Sequence, residues 1–172
     1  WKIRAKKVVL ATGAIERFLT FNNNDRPGIM LAASAYKFEE IYKVKTGKKI
    51  VVFTNNDSAY HAAFKFWSSD NGEKNKDKNR LVAIVDVRKN SDSFIVKEAK
   101  RLGIKIYFNH AVTNTFGRKK INSVIINELD EKIEKIIGKS IKLSCDLLCV
   151  SGGWTPTVHL FSQSKGKLIF RK

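Results

Sequence analysis

The stretch Lys49-Ile50-Val51-Val52-Phe53-Thr54-Asn55-Asn56-Asp57-Ser58-Ala59 runs a short apolar segment directly into a turn of small polar residues. An apolar run without polar alternation is what a strand covered on both faces requires. A helix follows it. Ala59, Ala63 and Phe66, with Tyr60, Phe64 and Trp67 beside them, form the broad apolar face of a helix that packs on a sheet. Residues 81–88 predict a second buried strand, with the acid Asp86 at its C-terminal end. Ile95, Ala99 and Leu102 then mark another amphipathic helix, Gly103 closes it, and residues 104–108 predict a third strand. Strand, helix, strand, helix, strand without alternation is half of a doubly wound α/β sheet.

Working outward, residues 6–14 predict a buried strand ending in Ala11-Thr12-Gly13-Ala14. Residues 15–28 read as a connection that closes on the turn formers Asn22-Asn23-Asn24-Asp25-Arg26-Pro27-Gly28. Across residues 29–44, Leu31, Ala35, Phe38 and Tyr42 recur at helical spacing, with Lys37, Glu39, Glu40 and Lys43 opposite, which predicts an amphipathic helix stopped by Gly47. On the other side, residues 111–116 and 121–127 flank Gly117-Arg118-Lys119 as a hairpin. Residues 129–139 read equally as a short charged helix or a loop. Residues 141–150 predict a last strand entering Ser151-Gly152-Gly153-Trp154, and the tail 157–172 shows no period.

Composition bounds the function classes. The chain has 172 residues, 43% hydrophobic and 28% charged, too apolar for a disordered tail. Its 33 Lys+Arg against 16 Asp+Glu leave +17. The positives are spread from Lys2 to Lys172, and the densest piece, residues 70–80, interleaves acids and reads as a solvated loop. No zinc-finger spacing, RRM aromatic motif or GXXG loop accompanies the charge, so nucleic acid is not an expected partner. No apolar stretch approaches the ~20 residues that span a bilayer, and the N-terminus carries no signal-peptide core. A membrane role is therefore not expected, and the reducing cytoplasm is the expected compartment. The opening on Trp1, without an initiator Met, reads as a fragment of a longer protein.

The turn at residues 54–59 is where a dinucleotide's phosphates would meet the backbone N–H groups of a helix N-terminus. Its residues depart from the pattern. Thr54, Asn56 and Ala59 occupy the G-x-G-x-x-G places, so both glycines that allow close phosphate approach are missing. Asn tolerates left-handed backbone angles, and Ala59 keeps a small side chain. Asp57 either adds charge near a pyrophosphate or caps the helix. A working and a degenerate nucleotide turn both fit these residues. Asp86 stands where a ribose hydroxyl is read, or is a solvent-facing acid paired with Arg88. His61 reads as a core histidine. Cys145 and Cys149, four apart on one predicted strand, read as buried packing residues sharing a face. No catalytic set and no metal-ligand set emerges.

The order of these pieces resembles flavoprotein disulfide reductase-like chains, in which one Rossmann-like dinucleotide-binding domain is inserted into another. More specifically, Ala11-Thr12-Gly13-Ala14-Ile15-Glu16-Arg17, Asn23-Asn24-Asp25-Arg26-Pro27-Gly28-Ile29-Met30, Val51-Val52-Phe53-Thr54-Asn55-Asn56-Asp57 and Cys145-Asp146-Leu147-Leu148 with Val150-Ser151-Gly152-Gly153-Trp154 resemble the α-subunit family of heterotetrameric sarcosine oxidases. Phe18 stands where that family's pattern leads one to expect Pro.

The resemblance implies three pieces: residues 1–45 leaving a first dinucleotide-binding domain, 46–144 forming the inserted Rossmann-like domain, and 145–172 returning to the first. It implies an oxidoreductase that converts sarcosine to glycine with formation of hydrogen peroxide and methylene-tetrahydrofolate. NAD would be held in the reductase-like half, FAD and covalent FMN by the β subunit, and tetrahydrofolate in a domain outside this chain. The β, γ and δ subunits would be its partners. The cofactor-binding candidates are Ala11, Thr12, Gly13, Gly152 and Gly153 for the first domain, preferred for NAD, and Thr54, Asn55, Asn56, Asp57, Ser58 and Asp86 for the inserted one. A nonenzymatic scaffold that docks a flavoprotein, and a subunit of a related amine or opine oxidase, are the alternatives.

Overall fold

Every residue of the strand Ile50–Thr54 is buried, as an apolar run covered on both sides must be. The computed structural model describes residues 1–68 and 80–169, so most of the charged loop expected at 70–80 lies outside the described residues. In chain order the strands are β1 (Ala14–Glu16), β2 (Ile29–Leu31), β3 (Ile50–Thr54), β4 (Leu81–Asp86), β5 (Ile106–Phe108), β6 (His110–Phe116), β7 (Ser123–Leu129), β8 (Ile136–Ser144), β9 (Leu147–Ser151) and β10 (Trp154–Pro156). The helices are α1 (Ala32–Glu40), α2 (Ser58–Ser68), α3 (Phe94–Arg101) and α4 (His159–Gln163). No helix among the described residues is long and apolar enough to cross a membrane.

Five strands form one parallel sheet in the order β2-β9-β3-β4-β5. Successive side chains on a strand point to opposite faces, and the two faces meet different partners. Ile50 and Val52 turn toward the helices, packing with Ala35 of α1, Ala63 and Phe66 of α2, and Val96 and Ala99 of α3. Val51, Phe53, Ala83 and Val85 turn the other way, onto Val112, Val124, Ile126 and Leu143. Those four belong to a second sheet, antiparallel, in the order β6-β7-β8. The α/β expectation holds, and one sheet face is covered by helices while the other is covered by strands.

Several local expectations are corrected. Residues 6–13 form no strand: Val8 and Val9 are largely exposed, and no described strand lies beside them to take up their backbone groups. The helix expected from residue 29 begins at Ala32, because residues 29–31 pair with Leu148, Cys149 and Val150 as an edge strand. Its inward face is Ala32, Ala35 and Glu39, while Phe38 and Tyr42 are exposed. Glu39 enters the core because Arg80 meets it with two hydrogen bonds, of 2.9 and 2.6 Å. Residues 130–135 are a turn, and 136–144 are a strand.

The last strand, expected over 141–150, is two strands broken at Cys145 and Asp146. Asp146 accepts the backbone N–H groups of Lys48 and Lys49, which turns the chain from one sheet into the other. Cys145 therefore packs between the sheets and Cys149 against the helices, on opposite sides rather than one face. β9 inserts between β2 and β3, and Thr54 is level with both Asp86 and Ser151. The sheet thus extends beyond the expected 46–144 span on both sides. β1 and β10 pair antiparallel as a separate ribbon, so the two chain segments flanking the sheet run side by side.

Candidate dinucleotide crevice

In an open parallel sheet the ligand crevice lies beyond the C-terminal strand ends, where helix N-termini face outward. Here that edge is formed by the turns after β9, β3 and β4. Thr54 is fully buried, and its hydroxyl donates to the Asn56 carbonyl at 3.0 Å and accepts from the Asn56 N–H at 3.1 Å. This folds the turn back on itself. The Asn56 side-chain oxygen then accepts from the N–H of Ser58 at 3.0 Å and from its hydroxyl at 2.5 Å. The cap on α2 is therefore Asn56, not Asp57, and it uses a donor that a phosphate would need. The Asn56 amide group donates to Asn55 Oδ1 at 3.1 Å and to the carbonyl and hydroxyl oxygens of Ser151 at 3.1 and 3.2 Å.

Asp86 is paired with Arg88, but it is fully buried rather than solvent-facing. Its Oδ2 accepts from the Tyr60 hydroxyl and from Arg88 Nη2, both at 2.8 Å. Its Oδ1 accepts from Arg88 Nε and from the Arg88 backbone N–H, both at 3.0 Å. Arg88 Nη1 reaches on to Asp57 Oδ1 at 2.7 Å. Hydrogen bonding to Asp86 holds the guanidinium pKa above its ordinary value, against the opposing effect of burial. Burial, with the Asp86 carboxylate beside it, pushes the Tyr60 phenol well above its own. Neither group is poised to move a proton near neutrality.

These residues do not fit a dinucleotide. Both oxygens of the acid that would read a ribose are occupied, the α2 N-terminus is capped internally, and two carboxylates face one guanidinium where a pyrophosphate would sit. The expected candidates Thr54, Asn55, Asn56, Asp57, Ser58 and Asp86 are thus brought together at one strand edge, as a self-satisfied cluster. His61 is exposed rather than in the core. It lines a cleft of about 390 Å³ between α2 and α3, with Phe64, Phe94 and Glu98. Among the described residues no group of three or more His, Cys, Asp or Glu could hold a metal.

Ala11, Thr12 and Gly13 lie apart from this cluster, at the far end of the ribbon, where the Thr12 hydroxyl donates to the Thr157 carbonyl. Gly152 and Gly153 adjoin the crevice. Gly152 donates its N–H to the Arg17 carbonyl at 2.7 Å, and Arg17 returns one to Gly153 at 2.8 Å. Sequence reasoning missed two side chains. Glu16, mostly buried, accepts the Ala33 N–H at 2.9 Å at the start of α1. Trp154 donates its indole N–H to the Ser58 hydroxyl at 2.8 Å. Neither leaves a periodic signal, since both act across the fold.

A parallel sheet with helices on one face and an antiparallel second layer on the other defines a Rossmann-like α/β fold. Solved structures agree. The chain superposes on T. acidophilum thioredoxin reductase with a TM-score of 0.64 at 19% identity, covering 92% of this chain and 47% of that one. A D. vulgaris FAD-dependent pyridine nucleotide-disulphide oxidoreductase gives 0.61 at 15% identity, over 94% of this chain and 39% of that one. L-proline dehydrogenase from P. horikoshii gives 0.55 at 24% identity, over 97% and 25%. No protein-family model matches the chain.

Sequence comparison is more particular: the chain is homologous, over nearly its whole length, to a segment of the sarcosine oxidase α subunit. It is 40% identical to that subunit of Corynebacterium sp. (strain P-1) over 99% of this chain and 16% of the relative. It is 31% identical to that of Rhizobium meliloti (strain 1021) over 99% of this chain and 15% of the relative. The chain therefore spans about a sixth of the length of these relatives.

Proposed function

We propose that this chain is the reductase-like structural module of a sarcosine oxidase α subunit, and that it frames the enzyme without housing its chemistry. The complete enzyme would oxidise sarcosine to glycine, passing the methyl carbon to tetrahydrofolate and electrons to oxygen as peroxide, in the cytoplasm. FAD and covalent FMN would belong to the β subunit, with γ and δ completing the assembly and folate bound in a domain beyond this chain. NAD would sit in the first dinucleotide-binding domain, to which Ala11, Thr12 and Gly13 lead on one side and Gly152 and Gly153 on the other. The paired strands β1 and β10 support that arrangement, because both connections to such a domain would leave through one ribbon.

The observation that carries the reading is the 40% identity across nearly the whole chain to a protein named as that subunit. The closed crevice supports placing the dinucleotide elsewhere. The test is calorimetric titration of NAD into the purified full-length complex, alongside peroxide release on adding sarcosine. NAD binding indifferent to Asp57→Ala, together with sarcosine-dependent peroxide, is the expected result. A change of NAD affinity in that variant, in either direction, would return the nucleotide to this module, because removing Asp57 alters the charge at the crevice and releases Arg88, and peroxide formed only with another secondary amine would replace the substrate.

A further inference from the structure

The turn after β3 sits where a phosphate cradle would be, yet its polar groups reach to another part of the chain. Asn56 donates to both oxygens of Ser151, at the end of β9. Its own side-chain oxygen accepts from the Ser58 hydroxyl, and that hydroxyl accepts from the indole N–H of Trp154, at the start of β10. Ser151 and Trp154 are joined through Gly152 and Gly153, so the hydrogen bonds and the backbone close a ring. We infer that this loop is a latch: Asn56 and Ser58 hold the Ser151-to-Trp154 turn, and so fix the angle at which the β1–β10 ribbon leaves the parallel sheet.

Three features make the ring a constraint. Gly153 adopts φ +91, a conformation that side-chain-bearing residues rarely take, and a Cβ on Gly152 would lie 3.0 Å from the Leu19 side chain. The turn is therefore packed tightly against the chain entering from β1. The Arg17 hydrogen bonds to Gly152 and Gly153 tie that entering segment to the turn. On the opposite side Glu16 anchors β1 itself to the N-terminus of α1 through Ala33. The ribbon is thus pinned at the starts of two helices that pack on the same sheet, which a hinge free to rotate could not tolerate.

The absent glycines then have a positive reason. Glycine at position 56, which a phosphate cradle would use, removes the amide that reaches Ser151 and the oxygen that orients Ser58. The latch rests on this geometry alone and survives whichever amine the enzyme oxidises.

The test is hydrogen exchange, resolved by peptide, on the full-length polypeptide and its Trp154→Phe, Ser58→Ala and doubly substituted forms. Each single variant should speed exchange across residues 14–17 and 152–157 by roughly fivefold, the loss of one modest hydrogen bond, while residues 50–54 and 81–86 stay unchanged. The double variant should add nothing to Ser58→Ala, because the Trp154 hydrogen bond ends on the hydroxyl that this substitution already removes. Unchanged exchange in both single variants, or effects that multiply in the double one, would overturn the latch. Trp154 is 42% exposed, so replacing it leaves the core intact and the test stays readable.

Discussion

Tyr60 donates its phenolic hydroxyl to Asp86 at 2.8 Å, joining the first helix after the central strand to the C-terminal end of its neighbour in a region closed to solvent. The acid that position alone would assign to a ribose is thereby part of the core. Its charge is met by Arg88, and Arg88 also binds Asp57.

Removing either partner should therefore cost stability. Tyr60→Phe leaves one buried carboxylate oxygen short of a donor, at a cost of about 1.5–3 kcal/mol. Arg88→Met strands the charge itself, at about 3–5 kcal/mol. Protection of the β3 and β4 amides against native-state exchange should fall less in Tyr60→Phe than in Arg88→Met, and equal losses would show that Tyr60 and Arg88 do not differ as partners.

The Glu39–Arg80 pair predicts an acid dependence. Burial raises the Glu39 pKa, but the hydrogen bonds from Arg80 and Thr46 outweigh it and hold the carboxyl below its ordinary value of 4.5. A depressed carboxyl stabilises the fold above its unfolded pKa and loses that contribution as pH falls through the folded one. Stability measured from about pH 6 downward should thus drop below about 4.5, with a shallower fall in Glu39→Gln. Parallel curves would show that Glu39 is not responsible.

Both cysteines should be silent toward thiol reagents in the native protein. Burial, with Asp146 adjacent, pushes the Cys145 thiol up to about 12, and burial pushes Cys149 well above its ordinary value. The thiolate is the reactive form, so neither should label at about pH 8 until the protein unfolds. Rapid modification of Cys145 or Cys149 under native conditions, located by peptide mass, would contradict this packing.

Gly28 occupies φ +94, and a Cβ there would lie 2.6 Å from Ile121 Cγ2 and 3.0 Å from the Asp146 carbonyl. Gly28→Ala combines backbone strain with overpacking, each worth about 1–3 kcal/mol. The variant should lower the melting temperature, and expose the β2 edge to exchange before β3. A neutral substitution would mean that the turn opens freely.

Much of this is legible in the residues. The unalternated run at 50–53 and the apolar helix face from Ala59 to Trp67 are local patterns, and one strand and one helix follow from them. Residues 29–31 mislead because a short strand and the first turn of a helix share an apolar pattern, and only pairing with β9 separates them. Residues 6–13 mislead for the converse reason: an apolar run is a strand only when a neighbour takes its hydrogen bonds.

What the sequence by itself determined is the alternation of apolar strands with amphipathic helices, the missing glycines at Thr54 and Asn56, and the resemblance that placed the chain beside sarcosine oxidase α subunits. Tertiary structure decided the rest. It placed β9 between β2 and β3, split Cys145 from Cys149, and buried Asp86 as the partner of Tyr60 and Arg88. Period reports which face of an element is apolar, whereas whether a polar group meets water, a ligand or another side chain depends on residues tens of positions away, brought close only by folding.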